Sequence, residues 1–227
     1  MSTGAESWPL AVRETGVQPG EAPLKAGSNS DSLNGRVSPL GIIKTYYFWL
    51  PTDSQVRYLE HMLVVGYIIG FIDAEGSFSV SIKVQRDLTY GVRLDPVFSI
   101  TQARKDVLEL IRRATGAGRI IEKPGQKHLH VYIVDNMDEL VKKLIPFLDR
   151  YQNLLHVKKE AYLIFRDIVL TLHKGLHKNA SKLKELIYKA YTLSNLSPKA
   201  HRRRSISEVF KIVNSHIAKR RDLPGER

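Results

Sequence analysis

The stretch that most constrains this 227-residue chain runs from Ser54 to Gln85, where one hydrophobic period gives way abruptly to another. Leu59, Met62, Leu63, Gly66, Ile69, Gly70 and Asp73 recur at three- and four-residue spacing, which predicts a helix over about 54–74. Pro51-Thr52-Asp53 reads as its entry, with Thr52, Asp53 or Ser54 as N-cap. Phe78, Val80, Ile82 and Val84 then alternate with Ser79, Ser81, Lys83 and Gln85, the pattern of a strand with one apolar and one polar face. Between helix and strand stands Asp73-Ala74-Glu75-Gly76-Ser77, with Gly76 read as a helix stop that adopts positive φ.

The pattern continues with a second strand over about 93–101, Phe98 and Ile100 pointing inward and Pro96 suggesting an edge or a bulge. A helix follows over 104–115, then strands over about 118–123 and 128–134 joined through Pro124-Gly125, then a helix over 136–145 stopped by Pro146. Helix, strand, strand, helix, strand, strand, helix predicts an α+β domain with a mainly antiparallel sheet and helices packed on one face. The last third is helical. Its apolar stripes are Leu154, Val157, Ala161, Ile164, Ile168 and Leu172, then Leu183, Leu186, Ile187 and Ala190, then Ile206, Val209, Phe210, Val213 and Ile217. The organisation is thus an irregular Gly-, Ser- and Pro-rich extension over 1–50, a core over 51–175, and a C-terminal helical extension with a basic tail over 176–227. Within the first, 41–51 is an apolar anchoring piece.

Lysine and arginine number 35 against 23 acids, a net charge of +12 that favours a polyanionic partner through counterion release. With no cysteine there is neither a disulfide nor a thiolate zinc site. No run of 18 apolar residues or secretory pattern is present, so an intracellular protein without a membrane span is expected, its compartment open.

Asp73 and Glu75 stand at the partially negative end of the first helix, where an acid costs roughly 0.3–1 kcal/mol. Either the chain accepts that penalty, or the carboxylates and free carbonyls form an oxygen-rich pocket suited to Mg²⁺. Gly66 and Gly70 share one helical face, where small residues let a second helix approach closely.

The segment Gly66-Tyr67-Ile68-Ile69-Gly70-Phe71-Ile72-Asp73-Ala74-Glu75-Gly76-Ser77 resembles the LAGLIDADG motif of homing endonucleases, and the deduced αββαββα order resembles that family's core over about 55–172. The resemblance implies metal-dependent double-strand cleavage of a long, near-palindromic DNA target. One motif implies a homodimer, with Gly66, Ile69, Gly70 and Asp73 at the helix–helix interface. By position, Glu75 matches the metal-binding acid, Ala74 the carbonyl ligand and Asp73 the more structural acid; Mg²⁺ or Mn²⁺ is the implied cofactor. Gln102 matches a polar residue ordering water, Lys158 a late lysine with Lys159 as the alternative register, and Arg104 lies nearby. Two departures are the glutamate where aspartate is usual and Ile69 where a small residue commonly precedes the motif glycine.

A twisted antiparallel sheet can enter the major groove. The readers expected on its polar face are Ser79, Ser81, Lys83, Gln85, Arg93, Asp95, Ser99, Thr101, His128, His130 and Tyr132. Arg86, Arg119, Lys123 and Lys127 at the hairpin tips, with Arg202, Arg203 and Arg204, are expected at phosphates. A non-cleaving protein of the same fold, such as an intron maturase, and a basic structural protein remain alternative readings.

Overall fold

The computed structural model describes residues 53–197 and 202–221; the expected extension over 1–50, the N-cap Thr52 and the tail past Arg221 lie outside them. Helix α1, Asp53–Glu75, leads into β1, Ser77–Val84, and β2, Val92–Gln102. Helix α2, Lys105–Thr115, precedes β3, Arg119–Lys123, and β4, Gln126–Val134. The strands form one antiparallel sheet in the order β1-β2-β4-β3. The β3–β4 hairpin turns on Pro124-Gly125, where Gly125 takes the φ of +77° that a side chain would resist.

Alternation sorts the sheet into two faces. Phe78, Val80, Leu94, Phe98, Ile100, Tyr132 and Val134 are buried against helices, while Ser79, Ser81, Lys83 and Arg93 are exposed on the other side. Phe78 is the hub of the covered face, its ring 4.9 Å from Phe98, 5.6 Å from Tyr162 and 5.3 Å from Phe165. Pro96 sits in a strand with neighbours on both sides, not at an edge of the sheet. It pairs with Val80 of β1, but β4 meets β2 only from Phe98 onward, so locally its missing N–H interrupts no second ladder.

Pro146 does not end its helix as expected. Helix α3 runs through three consecutive pieces, Met137–Glu139, the π-helical Leu140–Leu144, and Ile145–Tyr151. The widened turn, in which the Ile145 N–H reaches the Leu140 carbonyl, accommodates the proline ring without breaking the rod. Helix α4, Lys159–His173, follows; its buried stripe is Tyr162, Phe165, Ile168, Val169 and Leu172. Leu154 and Val157, expected in that stripe, are 43% and 74% exposed because the chain before α4 is irregular and buries Leu155 instead.

Helices α5, Ala180–Asn195, and α6, Ile206–Arg221, bury Leu183, Leu186, Ile187, Ala190, Val209 and Val213 in the same apolar core as the sheet and α4. The C-terminal extension therefore shares its core with the residues before it. Arg202 joins it to the sheet: its Nη2 donates to the Val80 carbonyl (3.0 Å) and the Ala190 carbonyl (2.5 Å), and its guanidinium lies 4.5 Å from the Tyr191 ring centre. An edge strand otherwise open to pairing is thereby covered.

Gly76 ends α1 for a different reason than positive φ, which it does not adopt. Its N–H closes the helix on the Ile72 carbonyl at 2.8 Å, and an added Cβ would collide with that same oxygen and come within 3.2 Å of the Phe98 ring. Gly66 and Gly70 have nothing within 4 Å of such an atom. Gly76→Ala is expected to cost about 1–3 kcal/mol from overpacking, whereas Gly66→Ala should leave the isolated chain's stability unchanged or raise it by about 0.8–1 kcal/mol. Thermal unfolding of the two variants at a concentration where the chain is monomeric checks the contrast.

Candidate active site and nucleic-acid interface

The end of α1 is organised by Asp73. Its carboxylate accepts the backbone N–H groups of His156 (3.0 Å), Val157 (3.0 Å to each oxygen) and Lys158 (2.7 Å), the three residues leading into α4. Asp73 thus caps from 85 residues away a helix whose own N-cap side chain, that of Lys158, makes no capping bond. Burial would raise the acid's pKa, but the N–H groups of Val157, Lys158 and His156 outweigh it and hold the carboxyl below its ordinary 3.8. This also answers why two lysines stand at the positive end of a helix: a buried carboxylate has been placed there first. Asp73 faces its own chain and is removed from the expected interface list.

The consequence is positional. Glu75 lies two residues beyond Asp73, and Lys158 is one of the residues that Asp73 grips, so one carboxylate brings both to the end of α1. Glu75 is exposed and makes no ion pair or hydrogen bond among the described residues. Carbonyls after Ile72, that of Ala74 among them, take no donor from their own helix. An unpaired carboxylate beside free carbonyls is the donor chemistry that a hard divalent cation prefers. Among the described residues no three His, Cys, Asp or Glu side chains converge, so a cation here needs further oxygens from water, phosphate or a second chain.

Gln102 ends β2, half-buried, with its Oε1 accepting the N–H of Ala103 at 2.9 Å. Its register partner is His130, and Ser77, which follows the motif, pairs with Ser99 three residues earlier. Arg104 is engaged elsewhere, in an ion pair with Asp106 at 2.5 Å.

The outer face of α1 carries Leu59, Met62, Leu63, Gly66, Tyr67 and Gly70, all exposed, with Leu63 at 73%. That face is apolar and lacks side chains where the two glycines fall. Ile69, expected with them, is wholly buried on the opposite side of the helix, among Val65, Ile68 and Ile72. Its place before the motif glycine in sequence says nothing about which face it takes.

On the open face of the sheet, Ser79, Ser81, Lys83, Arg93, Ser99 and Thr101 fall as expected. Asp95 holds Lys83 at 2.8 Å and Arg93 at 2.8 Å, and these cations outweigh its partial burial to keep its pKa low. Gln85 reaches Asp87 at 3.2 Å at the β1–β2 tip, where Arg86 is exposed. Arg119 forms a bidentate pair with Asp135 at 2.6 and 2.8 Å, and Lys123 and Lys127 flank the other hairpin tip.

Strand β4 has the opposite phase to the one expected. Pairing sets Tyr132 opposite Ile100 and His130 opposite Gln102, on the covered side of the sheet; His128, beyond this paired stretch, is exposed. Tyr132 is wholly buried; its hydroxyl donates to the Ala117 carbonyl at 3.0 Å and lies 2.7 Å from Thr115 Oγ1, and burial pushes its pKa up to about 12. His130 and Tyr132, expected on the open face, therefore lie on the other side, and on this strand the open face holds Leu129, Val131 and Ile133. Arg202 is likewise committed to backbone carbonyls, leaving Arg203 and Arg204 exposed. The neighbouring Tyr191 hydroxyl, which binds the Arg204 carbonyl at 2.7 Å, helps to fix this segment. Asp95, Asp135 and the cap by Asp73 all depend on non-local pairing that no short motif reveals.

The LAGLIDADG endonuclease family model matches residues 68–169. Homing endonuclease I-ApeII of Aeropyrum pernix is 46% identical over 171 residues, covering 74% of this chain and all of that protein. DNA endonuclease I-CeuI of Chlamydomonas moewusii is 33% identical over 87 residues, 37% of this chain and 40% of that one. The solved archaeal intron-encoded homing endonuclease I-Vdi141I complexed with DNA superposes with a TM-score of 0.68 at 49% identity, over 70% of this chain and 99% of that one. The chain belongs to the LAGLIDADG endonuclease family. Among its described residues no helix is long and apolar enough to cross a membrane.

Because the folded Asp73 carboxyl titrates below its ordinary value, its contribution is complete above about pH 3.8 and is lost as pH falls through the folded value. Asp73→Asn is expected to cost about 1–3 kcal/mol at neutral pH. Denaturant unfolding of both proteins along a pH series should show that gap closing in acid; a gap independent of pH would contradict the charged cap.

Proposed function

We propose that the protein is a site-specific homing endonuclease that cuts both strands of a long, near-palindromic DNA target as a homodimer, using Mg²⁺ or a similar divalent cation. The observation that carries this reading is the unpaired Glu75 carboxylate at the end of α1, where Asp73 also holds the Lys158 backbone, next to an exposed, apolar, glycine-bearing helix face. Two relatives with substantial coverage, I-ApeII and the DNA-bound I-Vdi141I, are homing endonucleases, which favours cleavage over a maturase role alone.

In this reading Glu75 and the Ala74 carbonyl would hold the cation, which would supply Lewis acidity toward phosphate oxygen and water. The Gln102 amide would orient a water toward phosphorus. The Lys158 ammonium, fixed by the grip of Asp73 on its backbone, neutralises charge developing on the phosphate oxygens. A bond forms between the water oxygen and phosphorus as the bond to the 3′ oxygen breaks, and the leaving oxygen takes up a proton. The face containing Gly66 and Gly70 packs against its symmetry mate, so that two sites act on the two strands. Ser79, Ser81, Lys83, Gln85, Arg93, Ser99 and Thr101 read base edges; Arg86, Arg119, Lys123, Lys127, Arg203 and Arg204 lie toward phosphates. Residues 51–175 form the cutting core and the helices after it brace that core.

Selection from a pool of near-palindromic duplexes with Mg²⁺ tests the assignment. Wild type is expected to yield defined double-strand breaks, and Glu75→Gln to bind the same sites while cutting at least a hundredfold more slowly, about the loss of one well-placed electrostatic group. Tight binding with no cutting by either protein would overturn the enzyme reading. Gly70→Leu should leave the fold intact, because no described residue outside its own helix comes within 4 Å of a Cβ at that position, yet give a monomer that does not cut. Light scattering and the same cleavage assay check this.

A further inference from the structure

The open face of the sheet is not uniformly polar. On β1 and β2 it presents serines, Thr101, Lys83, Arg93 and Asp95 with Val97 as a lone apolar residue, but across β4 and β3 it presents the contiguous row Leu129, Val131, Ile133 and Ile121. These side chains are adjacent. Val131 stands opposite Thr101 on one side and Ile121 on the other; Ile133 stands opposite Ser99 and Arg119. Ile121 is 37% exposed and the other three are half-buried, whereas the reverse face of the same strands buries Tyr132 and Val134 completely.

Protein interfaces set an apolar core inside a mixed polar rim and do not call for a ring of cations of one sign. This row is enclosed instead by Arg119, Lys123 and Lys127 and by the hydroxyls of Ser99 and Thr101, on a chain of net charge +12. The fitting occupant carries dense negative charge and also offers small apolar groups at fixed spacing. The major groove of DNA does so, because each thymine projects a C5-methyl group into it. We infer that Leu129, Val131, Ile133 and Ile121 form an apolar reader that selects thymine, or another 5-methylated pyrimidine, at defined positions of each half-site. The inference rests on the DNA-cleaving reading given above. It assigns sequence selection on β3 and β4 to methyl contacts rather than hydrogen bonds, with Arg119 and the hairpin lysines providing register on the phosphates.

A uracil scan tests it. On a duplex that wild type cuts, each thymine is replaced singly by uracil, which removes the methyl and leaves Watson–Crick pairing unchanged. At a small set of positions, related by the two-fold symmetry of the site, binding and cleavage should weaken about fourfold for each methyl buried. Ile121→Ser and Val131→Ser remove every methyl group from these side chains and place a hydroxyl at the surface, as Ser79 and Ser99 already do on the same face. They should reduce discrimination at those positions to twofold or less, with unchanged circular dichroism. Equal treatment of thymine and uracil at every position by a protein that cuts would overturn the inference and leave the endonuclease reading standing. A uracil penalty that persists in both variants would place the methyl contact elsewhere and also overturn it. So would a wild type indifferent to the methyl whose serine variants change oligomeric state, since the row would then be a protein contact. Failure to cut any duplex would remove the cleavage reading and this one with it.

Discussion

The capture of three backbone N–H groups by the buried carboxylate of Asp73 is the constraint on which the rest of the site depends. It ties the end of α1 to the start of α4, elements that are far apart in sequence and meet at the covered face of the sheet. A helix entry without a capping side chain and with two lysines at its start would otherwise be unfavourable. An acid at a helix C-terminus would be unfavourable too. Each supplies what the other lacks. Asp73 spends its charge on these N–H groups, while the next acid, Glu75, has no partner among the described residues, and an unpaired exposed carboxylate beside free carbonyls has cation-binding chemistry.

The same economy governs the sheet. One face is sealed by Phe78, Phe98, Phe165 and Tyr162, and Arg202 covers the β1 edge, so that the polar face is the side left open. On that face Asp95 draws Lys83 and Arg93 into a fixed arrangement, and Asp135 does so for Arg119. Pre-placed cations lose less side-chain freedom when a polyanion arrives, although each must exchange part of a carboxylate contact for it. The exposed apolar side of α1 faces away from this chain's core, which explains how a helix can be apolar nearly all round and still end in a reactive acid.

Much of this architecture was legible in the chain itself, because the α1 and β1 periods are long and switch at one place. The antiparallel αββαββα order, the Pro-Gly hairpin and the buried stripes of α5 and α6 all follow from local pattern. The phase of β4 did not, because Lys127 to Val134 alternates His and Tyr with Leu, Val and Ile, so either parity can be taken for the buried one. Burial was decided by Thr115, whose hydroxyl accommodates Tyr132 inside. Pro146 misled because a π turn absorbs it, and Ile69 because its neighbour in sequence is not its neighbour in space. The Asp95–Lys83, Asp135–Arg119 and Arg202–Val80 contacts join different strands or distant segments, where spacing carries little signal.

The central claim is that two copies of this chain, each providing one Glu75, act together on one DNA duplex. Native mass spectrometry of the protein on a duplex that it cuts, taken in the presence of Mg²⁺, tests it most directly. The account predicts two chains on each duplex with both strands broken; a single chain on a duplex cut in both strands would contradict it.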